Sequence, residues 1–317
     1  MNSIEVLAPG LLTTVQDLGR QSFGPMGVSP SGAADSIALR LGNQLVGNAD
    51  AAAGLEMTLL GGMFLFLEPR VIALTGSDFG ASLNSAPLAC WRSAAVQAGQ
   101  TLRVGPTQSG ARCYLCVGGG IAVEPFLGSA STHLLSGLGG FHGRSLLKGD
   151  LLDCGRGADF RPRSVRPEAL GAYWRAGVPA PHLLRVTAGP QSDWFTEPAQ
   201  RLLYDNAYRV AEESNRMGLR LQGPAVAPRS GGEMITEGIS LGAIQVPDSG
   251  QPIISFVEQQ TTGGYPVIAN VISADLPFVG QLRPRDEIRF QRVELAHARL
   301  LHIEQELLLS SKNLIVE

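Results

Sequence analysis

Ile253-Ile254-Ser255-Phe256-Val257, then Glu258-Gln259-Gln260-Thr261-Thr262-Gly263-Gly264-Tyr265-Pro266, then Val267-Ile268-Ala269-Asn270-Val271-Ile272 is the stretch on which the fold turns. Short apolar and β-branched runs on either side of a polar segment predict a hairpin. Its tip is longer and more polar than a plain hairpin turn requires. Gly263 and Gly264 can adopt positive φ, which would turn backbone N–H groups inward beside the Gln, Thr and Tyr side chains. Such a tip offers hydrogen bonds to a small amide-like or carboxylated ligand and adds little charge. An ordinary solvated loop is the competing reading.

Outward from this stretch, the chain has 317 residues, enough for two domains with cores of their own. With 44% hydrophobic and 17% charged residues and a net charge of -3, it reads as a soluble globular protein. That charge argues against nucleic-acid binding, which calls for a basic stripe. The 39 glycines and 20 prolines between short apolar runs favour β structure over helices. Met1-Asn-Ser-Ile-Glu5 lacks the basic start of a targeting signal, and Met57 to Leu67 is too short to span a bilayer. No membrane association and a cytoplasmic location are therefore expected. Cys113-Tyr-Leu-Cys116 has a metal-motif spacing but lies in an expected strand, with no second pair near it, so Cys90, Cys113, Cys116 and Cys154 read as free thiols.

In chain order, Ile4–Leu7, Leu12–Gln16, Met63–Leu67, Val71–Leu74, Thr101–Val104 and Ala111–Val117 are expected strands of the N-terminal half. Asp17 precedes Gly19 and suits an Asx turn. Ser31 can cap a helix over 33–46, ended by Gly47-Asn48. The helix start leaves N–H groups for an anion near Ser31 and Gly32; a plain capped helix is the alternative. Gly118-Gly119-Gly120 is not a nucleotide fingerprint, because no helical pattern follows it. His133 and His142 stand apart from other ligand types and read as structural. Domains are expected at 1–160 and 181–317, joined by a Pro- and Arg-rich linker over 161–180. Leu183–Thr187, Gly242–Pro247 and Glu287–Phe290 are further expected strands, and 294–309 an amphipathic terminal helix. Ala38-Leu-Arg-Leu-Gly42 and Gly218-Leu-Arg-Leu-Gln222 form a faint internal echo.

Several of these motifs recur together elsewhere. Thr14-x-Gln16-Asp17-x-Gly19-Arg20, Ser31-Gly32-Ala33-x-Asp35, Tyr114-Leu-x-Val-Gly-Gly-Gly-Ile121, Gly189-Pro-Gln191, Ser214-Asn215-Arg216-Met217-Gly218, Gln260-Thr-Thr-Gly-Gly-Tyr265-Pro266 and Gln281-Leu-Arg-Pro284 stand in the order of the biotin-dependent carboxyltransferase family, which the chain resembles. That family includes the C subunit of bacterial 5-oxoprolinase, Kip antagonists and the carboxyltransferase region of urea carboxylase. Asn215, where relatives usually carry Asp, and Gln259, where many carry a basic residue, are departures.

The resemblance implies a mainly β fold of two cyclophilin-like β-barrel domains with a few peripheral helices. It also implies an enzyme: the C subunit of a 5-oxoprolinase, opening the lactam of 5-oxoproline to L-glutamate with the A and B subunits, of which B is Kip-inhibitor-like. ATP is then used by the complex as a whole, and no metal is evident. Carboxyl transfer to urea or a similar amide, and a regulatory Kip-antagonist role, are the alternatives. The only lysines, Lys148 and Lys312, lack the Met-Lys-Met setting of a biotin acceptor, so any biotin must be carried by another chain. Gln260, Thr261, Thr262 and Tyr265, shaped by Gly263 and Gly264, are the expected donors to substrate. Arg216 is the expected carboxylate partner, and Asp275 and Glu237 are the expected general bases.

Overall fold

The computed structural model describes residues 2–166, 182–229, 234–311 and 314–317. The chain is mainly β and gathers into two compact units. One comprises Met1–Arg20, Ser31–Gly177 and Leu309–Glu317, the other Gln21–Pro30 and Val178–Leu308. Of the expected linker, 167–180 lies outside the described residues, as does Lys312; Ser164–Val165 is a short strand paired with Ile315–Val316.

The first unit holds two antiparallel sheets around one core. Leu12–Gln16, Gly54–Thr58, Arg112–Val117, Arg70–Gly76 and Ser93–Val96 form the five-stranded sheet, and Asn2–Ala8 and Met63–Phe66 lie centrally in the seven-stranded one. Leu55, Met57, Phe64, Phe66, Leu102 and Leu115 are fully buried between them. The helix is shorter than expected, Ser36–Val46, because Asp35 rather than Ser31 is its cap: Asp35 Oδ1 accepts from Ala38 N at 3.0 Å. At Gly47 it ends as expected, in the left-handed conformation (φ 78°). Gly42 lets the helix lie close to the sheet, since a Cβ there would come within 2.5 Å of Cys116 Sγ.

The second unit contains a closed barrel of seven strands. Around it run His182–Ala188, Val267–Val271, Ala243–Gln245, Ile253–Ser255, Gly218–Gln222, Tyr208–Val210 and Glu287–Arg292, which closes on His182–Ala188 in parallel. Inward positions follow the period of two: Leu184 and Val186, Leu219 and Leu221, Tyr208 and Val210, Ile288 and Phe290 are buried. Arg220 and Gln222, between them in register, are exposed.

Two expectations fail here, for related reasons. Ile253–Ser255 and Val267–Val271 do not pair as a hairpin: Ala243–Gln245 lies between them and pairs with both. The polar run is therefore a crossover, and its far end forms a two-residue ribbon with a distant segment, Glu237 opposite Gly263 and Gly238 opposite Thr262. Local pattern identifies the two strands but not a third inserted between them. The internal echo likewise joins unlike elements, a helix at 38–42 and a strand at 218–222. Leu295–Leu309 is helical, and no helix among the described residues is long and apolar enough to cross a membrane.

Candidate functional site

Three glutamines gather beneath the ribbon. Gln191 exposes 8% of its surface, Gln245 8% and Gln259 7%, so each carboxamide is largely removed from water. Gln191 is answered on both sides: its Oε1 accepts from Val267 N at 3.1 Å, and its Nε2 donates to Glu237 Oε2 at 3.1 Å. Gln259 Nε2 donates to the carbonyl of Ile239 at 3.0 Å, which fixes its amide and leaves Oε1 buried with no partner among the described residues. Gln245 Nε2 is buried and unpartnered in the same way. Buried amide atoms without partners are rare in folded proteins and each costs about 1–3 kcal/mol.

Gly263 lies directly against Gln245. A Cβ there would stand 2.6 Å from Gln245 Nε2 and 2.2 Å from Ile239 Cδ1. Neither Gly263 nor Gly264 has positive φ, so the expected inward turn of their N–H groups is corrected: Gly263 serves close approach, not turn geometry. Thr261 holds the ribbon through its carbonyl, which accepts from Ile239 N at 3.0 Å, while Gln260, Thr262, Gly264 and Tyr265 face solvent.

Alongside runs a groove of about 330 Å³ on the outer face of the barrel, lined by Arg220, Glu213, Pro247, Gln251, Ile253 and Tyr265 among others. Cross-strand pairing places Arg220 opposite Ile253 and Ile253 opposite Gln245, one row on one face. Gln245 thus lies one strand beyond Ile253, a lining residue of the groove, in the same row.

The structure brings together Glu237, Gln260, Thr261, Thr262, Gly263, Gly264 and Tyr265 but not the remaining expected residues. Arg216 exposes 5% and pairs through Nε with Glu258, itself 3% exposed, so its charge is met within the protein and it is not presented to a ligand. Asp275 is fully buried and accepts from Arg185 N at 2.7 Å and from the Arg185 guanidinium. A carboxylate without solvent access, held by a cation, is an anchor between segments and not a general base. Ser31 Oγ donates to Thr132 O at 2.6 Å, and Gly32 (φ +94°) packs so that a Cβ would meet Gly19 N at 2.8 Å. The N–H groups that follow are answered as well, Ala34 by Glu56 Oε2 at 2.8 Å and Asp35 by Tyr114 Oη at 2.8 Å, which leaves no anion site there.

The two departures resolve differently. Asn215 Oδ1 accepts from Met217 N at 2.8 Å, so the position works as a turn acceptor and needs no charge. Gln259 belongs to the buried pair. Gln191, Gln245 and Gln259 are each visible in sequence as motif, strand or departure residues, but nothing local indicates that they converge. The thiols carry no comparable chemistry: burial pushes Cys90 up to about 12 and Cys154 up to about 11, and raises Cys113 and Cys116 further, so all stay protonated.

Comparison with known proteins agrees with the motif order. The family model described as "Carboxyltransferase domain, subdomain A and B" matches residues 26–292. The chain is 35% identical to the 5-oxoprolinase C subunit of Haemophilus influenzae, over 99% of both chains. It is 36% identical to the 5-oxoprolinase C subunit of Escherichia coli, over 96% of this chain and 95% of that one. Among solved structures, the urea amidolyase of K. lactis aligns with a TM-score of 0.88 and 33% identity, covering 99% of this chain but 21% of the larger protein.

Proposed function

The chain belongs to the carboxyltransferase domain family of subdomains A and B, and on that premise we propose that it is the C subunit of a cytoplasmic, ATP-dependent 5-oxoprolinase. It would act with the A and B subunits to open the lactam of 5-oxoproline to L-glutamate. The observation that carries this reading is the buried amide pair beside an open groove, in a chain whose near full-length relatives bear the C-subunit name.

Ring opening adds water to the lactam carbonyl, breaks the C–N bond and delivers a proton to the leaving nitrogen. Negative charge develops on the carbonyl oxygen. The ribbon offers Thr261, Thr262, Gln260 and Tyr265 as donors to that oxygen. Gln260, Thr262 and Tyr265 face solvent in this chain alone, and a donor reaches the full worth of about 3–4 kcal/mol only once substrate or a partner subunit excludes water from it. Glu237, oriented by Gln191 Nε2 at 3.1 Å and exposed on its other side, is placed to take the proton of the attacking water. ATP enters with the complex. Gly118–Gly120 runs into the strand Ile121–Ala122 and not into a helix, so it forms no glycine-loop phosphate cradle at a helix N-terminus.

A second reading, carboxyl transfer to urea or a related amide from biotin on another chain, is favoured by the alignment with urea amidolyase. This chain and its purified A and B partners, given 5-oxoproline, should yield glutamate only with ATP. An equal rate without this chain overturns the first reading. Carboxyl transfer from free carboxybiotin to urea tests the second.

A further inference from the structure

Gln245 Nε2 is a donor and Gln259 Oε1 an acceptor; both are buried and both lack partners among the described residues. Gln245 Nε2 and the Ile239 side chain flank Gly263, and the Gln259 amide is tied to the carbonyl of that same Ile239. A ligand that satisfies them must carry an acceptor and a donor close together. A carboxylate supplies only acceptors and would leave Gln259 Oε1 facing another oxygen. A trans amide points its C=O and N–H in opposite directions. A cis amide, the form imposed by a small lactam ring, presents C=O and N–H along one edge, as does urea.

We propose that Gln245 and Gln259 read the C=O/N–H edge of a cis amide held at the end of the outer-face groove, and that Arg220 takes a carboxylate on the same ligand. The lactam C=O accepts from Gln245 Nε2, and its N–H donates to Gln259 Oε1. Arg220 stands two strands from Gln245 in the Arg220–Ile253–Gln245 row, roughly 10 Å along the sheet, within reach of its long side chain. It lines the groove and is exposed, with no ion-pair partner among the described residues; Glu213 shares that lining. Arg220 thereby assumes the role expected of Arg216. This assignment rests on the amide-hydrolase reading for its choice of ligand but not for its geometry.

The test is ligand-observed NMR titration of the full chain with 2-pyrrolidinone, N-methyl-2-pyrrolidinone and 5-oxoproline. 2-Pyrrolidinone should bind, and the N-methyl compound, which lacks the N–H, at least about tenfold more weakly. Gln245→Glu should weaken 2-pyrrolidinone by about tenfold. Arg220→Met should weaken 5-oxoproline and leave 2-pyrrolidinone unchanged. Equal binding of the two pyrrolidinones, binding of neither, or loss of both lactams in Arg220→Met overturns the proposal. Thermal melts establish that the variants fold, and if Gln245→Glu does not, the pair of pyrrolidinones on the unaltered chain decides alone. Glutamate formation by the complex without discrimination between the pyrrolidinones sinks this inference and spares the function. Discrimination without turnover does the reverse.

Discussion

Asp17 in the N-terminal unit and the Gln245–Gln259 pair in the C-terminal unit are both buried and polar, and Asp17 and Gln259 lie within or beside family motifs, yet they are opposites. Asp17 accepts from Gly19 N at 2.7 Å, Ser129 Oγ at 2.7 Å, Ala130 N at 2.6 Å and Ser131 Oγ at 2.5 Å. Its capacity is filled by the protein itself, and it ties the 129–131 loop to the turn after Leu12–Gln16. Neighbouring Gln16 keeps one unanswered oxygen, but both of its donor contacts, to Thr14 Oγ1 and Thr132 O, are internal. The glutamine pair instead leaves a buried donor and a buried acceptor unmet on the two segments that flank Ile239, near a groove. Motif membership alone does not separate a structural residue from a binding one, and one unmet atom, as on Gln16, does not either. An unmet donor and an unmet acceptor on neighbouring segments beside a groove set the glutamine pair apart.

Stability measurements test that contrast most strongly. Asp17→Ala strands two hydroxyls and two N–H groups, and should lower the free energy of unfolding by about 3–5 kcal/mol, read as a drop in denaturant midpoint at constant slope. Asp275→Ala, which removes a fully buried carboxylate from the partly buried Arg185 guanidinium in the other unit, should cost somewhat less, because water can still reach the abandoned cation. Gln245→Leu should be neutral or stabilising by up to about 1 kcal/mol, because it removes an unanswered amide. A loss for Gln245→Leu as large as that for Asp17→Ala would erase the distinction.

Gly263→Ala shifts the effect from stability to function. The three atoms nearest the added methyl all belong to side chains: Ile239 Cδ1 and Cγ1 and Gln245 Nε2. Both side chains can rotate aside, so unfolding should change by no more than about 1 kcal/mol. The rotation takes Gln245 Nε2 away from the ligand edge, and turnover of 5-oxoproline by the assembled complex should fall about tenfold. Unchanged turnover would place the chemistry away from the ribbon.

How much of the fold and site is legible in the sequence depends on the range of each interaction. Strands and the helix end at Gly47 are legible, because alternation and capping act within a few residues. Asp17 is legible for the same reason, since Gly19 lies two positions away. The helix start is not, because Ser31 is spent on Thr132, far along the chain. The hairpin expectation fails because Ala243–Gln245 comes between the two strands, and barrel order is not a local property. Arg216 and Asp275 look like free chemistry in the sequence only because Glu258 and Arg185, their partners, cannot be placed from it. The residue types at the site are readable, but which of them still have capacity to spare is not.

A third arrangement, satisfied but near the surface, sharpens the contrast with the smallest effect. Arg144 Nη1 and Nη2 donate to Asp150 at 2.7 and 2.9 Å, and Leu147 N adds a bond at 2.7 Å. These bonds, Arg144's first, hold the Asp150 carboxyl below the usual carboxylate range. Since the folded carboxyl titrates lower than the unfolded one, its stabilisation is fully present above about pH 4 and disappears as pH falls through the folded value. Arg144 is 37% exposed at its side chain, so water and salt weaken the pair and its worth is about 1 kcal/mol. Asp150→Asn should therefore unfold slightly more easily than the unaltered chain at neutral pH, with the gap closing in acid. A gap as wide as that of Asp17→Ala would mean that satisfaction alone sets the cost, whereas the small, acid-sensitive gap expected here assigns the difference to burial.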